Sequence, residues 1–331
     1  MTGTTLTLTQ AYRMRWKRRR LLWRAFRSRH ALTNAQDRTT SINPDDILLF
    51  AVFRNEAARI DEFLRHYRKL GVNHFLIIDN GSDDGTEKRL LDQPDVSLWQ
   101  TDASYRASRF GVHWLTWLQM RFGHDHWCLS VDADEYLIYD GHEQHGLREL
   151  TARLDASGQH CFGALMLDMY PKGPIGSDGS ADWFDAGPYR AVRQKPLLNL
   201  WVQGGVRERV FFQDDPKRSP TLNKLPLVKW SRRYAYVNST HSILPPKLNL
   251  EYGGPGSAGL HGALLHPKFD PSVVSRSETE RGRAEHFTRP ENFADYYDKI
   301  AEMPELWGES SHRYENAAQL VQLGLISVIS W

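Results

Sequence analysis

Cysteine is nearly absent from this 331-residue chain, which carries only Cys128 and Cys161. Two thiols cannot build a disulfide framework, so the small stapled folds of secreted proteins are excluded and a reducing compartment is the simpler expectation. Long hydrophobic runs are missing too. No apolar stretch approaches the ~18–20 residues needed to span a bilayer, and the first ten residues lack the apolar core of a signal peptide. The expectation is therefore a cytoplasmic protein. The third absence is acid between positions 13 and 29, where nine basic residues (Arg13, Arg15, Lys17, Arg18, Arg19, Arg20, Arg24, Arg27 and Arg29) stand without a single Asp or Glu. With those nine set aside, a chain of formal net charge +2 is left at −7, so the positive charge is a local device.

What is present is a globular composition, 40% hydrophobic and 11% aromatic, which supports a substantial core and excludes a disordered chain. Within the basic stretch, Trp16, Leu21, Leu22, Trp23 and Phe26 are interleaved with the cations. A basic helix with such side chains can lie in the interface of an anionic membrane, which would place the protein peripherally at the inner face of the cytoplasmic membrane. The competing readings are an arm packed on the acidic body and, least favoured, a nucleic-acid-binding arm. No nucleic-acid partner is expected.

A polar linker (residues 33–46) precedes Ile47-Leu-Leu-Phe-Ala-Val-Phe53, apolar at nearly every position and so a buried strand. After Arg54-Asn55-Glu56, the residues Ile60, Phe63, Leu64, Tyr67 and Leu70 recur at helical spacing, with Gly71 at the position of a helix-terminating glycine. A second strand, His74-Phe-Leu-Ile-Ile78, stops at the turn-rich loop Asp79-Asn80-Gly81-Ser82-Asp83-Asp84-Gly85-Thr86, and a helix is expected from Glu87. A third strand at 96–99 and a helix over 107–122 lead to a fourth strand at 127–131. Strands alternating with helices predict an α/β fold with a doubly wound, mostly parallel sheet.

The fourth strand runs into Asp132-Ala-Asp134-Glu135. Residues i and i+2 of an extended segment share a face, which would bring Asp132 and Asp134 to roughly 6–7 Å apart at Cα. Two carboxylates so placed repel unless a cation sits between them, and such hard oxygen ligands suit Mg²⁺ or Mn²⁺. The competing reading is a pair of solvated loop acids. Position decides between the two: in a parallel sheet ligands bind beyond the carboxyl ends of the strands, where the clusters at 54–56, 79–86 and 132–135 all fall. Glu135 is expected on the opposite face, bonded to loop backbone.

In order and spacing, Arg54-Asn55-Glu56, Asp79-Asn80-Gly81-Ser82 and Val131-Asp132-Ala133-Asp134-Glu135 resemble the GT-A-fold glycosyltransferases of family 2, in the bacterial branch with Arg-Asn-Glu and Asp-Asn-Gly-Ser motifs. Asp168-Met-Tyr-Pro171, Lys224-Leu-Pro-Leu-Val228, Ser239-Thr-His241 and Leu264-Leu-His266-Pro-Lys268-Phe269 extend the resemblance to about residues 47–286. It implies an inverting, metal-dependent glycosyltransferase with a nucleotide-sugar donor and a glycan or lipid-linked acceptor, serving bacterial surface polysaccharide or lipopolysaccharide synthesis. By the same resemblance Arg54, Glu56, Asp79, Asn80, Asp84 and Asp132 would surround the donor. Asp134 would hold the metal, with Asp132 beside it and His266 or His241 as a further ligand. Asn80 stands where the family has a second acid. The organisation expected is a basic arm and linker (1–46), a catalytic domain (47–289, divided at 140 into nucleotide-sugar and acceptor halves) and a C-terminal helical extension (290–331).

Glycosyl transfer also needs a base for the acceptor hydroxyl. Glu208, in Gly204-Gly205-Val-Arg207-Glu208-Arg209, is the candidate; Asp168 and the pair Asp214-Asp215 are the alternatives, and an ion pair with a flanking arginine is the competing reading of Glu208. Lys224, Lys229 and Lys268 could meet the diphosphate. The stretch 172–188, rich in Gly, Pro and Ser, reads equally as a lid or as a surface excursion, and helical segments are expected at 290–303 and 314–331. Two other classes remain. A haloacid-dehalogenase-type phosphatase also uses Asp-x-Asp but favours the first strand, and a non-catalytic nucleotide-sugar-binding module would bind without turnover.

Overall fold

The computed structural model describes residues 5–176, 179–270, 273 and 294–331. A long helix α1 (Leu8–Ser28) leads to β1 (Thr33–Gln36), and then strands and helices alternate: β2 (Leu48–Phe53), α2 (Ile60–Lys69), β3 (His74–Asp79), α3 (Thr86–Leu91), β4 (Val96–Gln100), α4 (Val112–Phe122) and β5 (Trp127–Ser130). There follow β6 (Tyr136–Ile138), α5 (Leu147–Ser157), β7 (Cys161–Asp168), β8 (Trp183–Asp185), β9 (Tyr189–Gln194), β10 (Asn199–Gly204), β11 (Asn223–Lys229), β12 (Ala235–Val237), β13 (Ser239–Leu244) and β14 (His261–His266). The chain closes with α6 (Ala294–Ala301), β15 (Ser311–Arg313) and α7 (Ala317–Gln322).

Nine strands form one mixed, mostly parallel sheet in the order β1-β4-β3-β2-β5-β11-β7-β14-β6. The run β4-β3-β2-β5 is parallel. β11 lies antiparallel between β5 and β7, so β7 and its parallel neighbour β14 point the same way as β5. The chain leaves β2 toward β3 on one side and returns to β5 on the other, which creates a switch point of the kind beside which such sheets bind ligands at the strand carboxyl ends.

Side-chain alternation along β2 divides the core in two. Leu48 and Phe50 join Trp114 and Leu118 of α4 on one face, while Leu49, Ala51 and Phe53 join Phe63, Leu64 and Tyr67 of α2 on the other. The expected strands and helices from 47 to 131 all form, with shifted ends. The helix expected from 107 begins at Val112: Gly111 sits at φ +73°, and a Cβ there would meet Val52 Cγ2 at 2.7 Å, so the backbone turns against β2 before the helix can start. Gly71, at φ +95°, ends α2 as expected.

Two expectations need correction. Residues 33–46 are not simply a linker, because Thr33–Gln36 pairs antiparallel with β4 as the sheet edge; its polar, exposed side chains carry no strand-like alternation. The stretch 172–188 is not one loop either. Trp183–Asp185 pairs with β15, and Phe184 is fully buried. The C-terminal segment finds its cover on the sheet: Leu320, Leu325 and Ile326 join one core and Ile329 the other, while Trp331 stacks on His145 at 4.3 Å between ring centroids. Helix α6 covers part of the segment expected at 290–303, and residues 278–281 and His286 lie outside the described residues. Among the described residues no helix is long and apolar enough to cross a membrane.

Candidate active site

The carboxyl ends of β2, β3, β5, β7 and β14 bring the expected polar clusters to one edge of the sheet. Parallel pairing sets Asp168 and His266 directly opposite each other as the last residues of β7 and β14. That register puts the Nδ1–H of His266 2.7 Å from Asp168 Oδ1, to which it donates. The other ring nitrogen, Nε2, lies 3.3 Å from Asp134 Oδ2 in the loop after β5. Arg207 closes the far side of Asp168 with two bonds, Nε at 2.8 Å and Nη2 at 2.5 Å.

Burial alone would lower the His266 pKa, but Asp134 and Asp168 together raise it. Burial would push the Asp134 and Asp168 carboxyls up. His266, Arg59 and Lys268 hold Asp134 well below the usual range instead, and Arg207 with His266 does the same for Asp168.

Lys224 of β11 organises the acid loop. Its buried ammonium reaches Asp132 Oδ2 at 3.1 Å and Glu135 Oε1 at 2.8 Å, and the other Glu135 oxygen accepts the Asp132 backbone N–H at 3.1 Å. Glu135 bonds loop backbone as expected, but it shares Lys224 with Asp132 as a buried clamp on the same loop, because the chain turns after Val131 instead of continuing as a strand. Lys224 is in turn committed to two carboxylates. The Asp132 side chain remains 53% exposed.

The first two clusters are tied to each other. Asn55, at φ +56°, donates its backbone N–H to Ser82 Oγ at 2.9 Å and exchanges side-chain bonds with Asp83. Asp79 is buried and accepts the Ser82 N–H at 3.0 Å; Asn80 is buried and donates to the Thr101 and Ala103 carbonyls at 2.9 and 3.1 Å. Asp84 accepts from the Ala57 and Thr86 backbones, and Glu56 meets Arg59 at 3.2 Å. These side chains hold the loop in shape. Arg54, exposed at the rim, donates to the Asn80 carbonyl at 2.6 Å.

His241 sits beside the cluster with its Nδ1–H donated to the Asn223 carbonyl at 2.5 Å; burial first, then nearby Lys224, lowers its pKa to about 3, so the ring is neutral with Nε2 as its acceptor nitrogen. Glu208 lies in a single π-helical turn, Arg207–Phe211, and pairs in a fork with Arg190 at 2.7 and 2.9 Å. Asp214 is 85% exposed and 3.9 Å from Lys299, at the surface. Lys229 pairs with Asp155 at 2.8 Å, at the end of β11 beside the start of β5, away from the carboxyl end of β5. Arg59 and Arg207 carry no signal of their own in the sequence; Arg207 is legible only as the neighbour of Glu208.

Among the described residues no three His, Cys, Asp or Glu side chains are disposed to hold a metal by themselves. Two donors do meet: the 3.3 Å between Asp134 Oδ2 and His266 Nε2 is close to the ~3 Å expected of adjacent ligands on an octahedral cation with bonds of about 2.1 Å.

No family model matches the chain. A glycosyltransferase family 92 protein of Arabidopsis thaliana is 25% identical over 134 residues, 37% of this chain and 22% of the relative. A glycosyltransferase family 92 protein of Oryza sativa subsp. japonica is 28% identical over 100 residues, 28% of this chain and 16% of the relative. The chain therefore spans less than a quarter of the length of either. Both relatives carry a glycosyltransferase name, and neither supports the resemblance to family 2.

Proposed function

We propose that the protein transfers a sugar from a nucleotide-sugar donor to a glycan or lipid-linked acceptor. The observation that carries this reading is the meeting of Asp132, Asp134, Asp168 and His266 beyond the carboxyl ends of β5, β7 and β14, beside the loop at 79–86. The similarity to family 92 glycosyltransferases supports the same class.

In this reading Asp134 and His266 would hold Mn²⁺ or Mg²⁺, which such sites usually share with a substrate diphosphate. What the cation supplies when bound is neutralisation of charge on the departing nucleoside diphosphate. Asp168, engaged by Arg207 and His266, is a weak base; its work is to fix the imidazole. Asp132 offers its exposed carboxylate to the donor ribose or to metal-bound water. Glu208 accepts the proton of the acceptor hydroxyl as that oxygen attacks the anomeric carbon and the bond from carbon to phosphate oxygen breaks, with inversion. Its fork with Arg190, whose side chain is 54% exposed, must give way to the acceptor hydroxyl before Glu208 can take the proton.

The test is release of nucleoside diphosphate from UDP-, GDP- and dTDP-sugars with oligosaccharide or lipid-linked acceptors. Glu208→Gln should lower kcat by about 10²–10⁴-fold with donor affinity unchanged. Turnover that survives this change removes Glu208 from the role.

A further inference from the structure

Helix α1 joins the fold mainly along one side. Met14, Leu21 and Ala25 are buried, with Met14 and Leu21 against Ala235, Val237 and Leu244, and the helix lies along α4 and β12. Its opposite side carries Leu8, Tyr12, Trp16 and Trp23, recurring at spacings that place them on one face, while Phe26 at its end meets Trp117 of α4 edge to face at 5.6 Å. Trp16 is 51% and Trp23 58% exposed, and Trp16 and Tyr12 meet edge to face. With Phe26 these make up half of the exposed large hydrophobic residues among the described residues, gathered on a single helix about 31 Å long.

Arg13, Arg15, Arg19, Arg20 and Arg27 are exposed around the same ridge. The guanidinium groups of Arg19 and Arg27 lie 5.3 Å over the Trp16 and Trp23 rings, which puts charge at the border of the apolar stripe. No acid occurs in the helix, and among the described residues none pairs with it. The charged neighbours it meets are cations: Arg18 is lowered first by burial and then by Arg15, Arg233 and Arg19, and Lys17 by burial and then Arg109. An arm packed on an acidic body would show the reverse. An exposed tryptophan ridge bordered by unmatched arginines matches a surface that is apolar beneath a negative layer.

We propose that the outward face of α1 docks the folded protein onto an anionic lipid bilayer, with Trp16 and Trp23 entering the headgroup region and the flanking arginines meeting lipid phosphates. Docking is independent of the reaction at the strand ends, and its test reads no turnover. The full chain is floated with vesicles of phosphatidylcholine alone and of phosphatidylcholine mixed with phosphatidylglycerol. It should rise with the mixed vesicles only, less so as salt increases. Replacing Arg13, Arg19, Arg20 and Arg27 by Gln should cut partitioning roughly five-fold per arginine. Trp16→Ser with Trp23→Ser should weaken flotation and remove quenching of tryptophan emission by brominated lipid, with circular dichroism unchanged because both side chains face solvent. Failure to float with anionic vesicles, equal flotation of the variants, or retention on RNA without vesicle binding would overturn the proposal.

Discussion

Charge is dense both at the carboxyl ends of the strands and along α1, and the two regions treat it in opposite ways. At the strand ends each buried ion has a named partner: Lys224 with Asp132 and Glu135, His266 with Asp134 and Asp168, Arg207 with Asp168. Along α1 five exposed arginines and two half-exposed tryptophans have no acid among the described residues. Matched, buried charge holds an architecture, because removing either member strands the other in a poor dielectric. Unmatched, exposed charge contributes little to the fold and is free for a partner from outside.

The sharpest break of this contrast is Asp168→Ala. It leaves the Arg207 guanidinium and the His266 ring buried without their shared carboxylate, and should cost about 3–5 kcal/mol in denaturant unfolding. A loss within the range of a surface substitution would mean that the cluster is not held by its charges.

Next in size is an acid effect that touches both regions through a neutral histidine in each, half-buried in one and buried in the other. His66, under the β6 backbone, is lowered to about 4 by burial, with His142 and Lys69 adding and the Leu137 carbonyl opposing. His113, under the basic helix, is lowered to about 4 by burial, then by Arg109 and Arg24. A folded pKa below the unfolded value of about 6.5 means the unfolded chain binds more protons between those limits, so stability should fall as pH drops from about 6.5 toward 4. Thermal melts across that window should decline, and less steeply for His113→Gln.

The smallest effect is expected on α1. Replacing Arg13, Arg19, Arg20 and Arg27 by Gln should leave the unfolding free energy within about 0.5 kcal/mol. A large loss would show that these arginines serve the fold.

Legibility in the sequence follows the same division. Strands β2, β3 and β5 and helix α2 read clearly because their apolar periods are long and their ends are marked, and the convergence of 54–56, 79–86 and 132–135 follows from the sheet. The inward roles of Asp79, Asn80 and Asp84 do not, since a turn-rich loop written in acids looks the same whether it grips a ligand or itself. Glu135 was misplaced by strand alternation that stops at a tight turn. Strand β11 was hidden by Pro226, a residue that argues against a central strand; the register shifts between Lys224 and Leu227 and the ladder passes around it. Arg207 has no local signature, because its partner Asp168 lies 39 positions away.

The central claim is that Asp134 and His266 receive a cation together with a nucleotide diphosphate. Calorimetry of UDP, GDP and dTDP binding with and without Mn²⁺, on the parent protein and on Asp134→Ala, tests it most directly. The account predicts Mn²⁺-dependent binding of at least one nucleotide by the parent and its loss in a variant that still unfolds cooperatively. Binding that ignores Mn²⁺, or that survives Asp134→Ala unchanged, would contradict it.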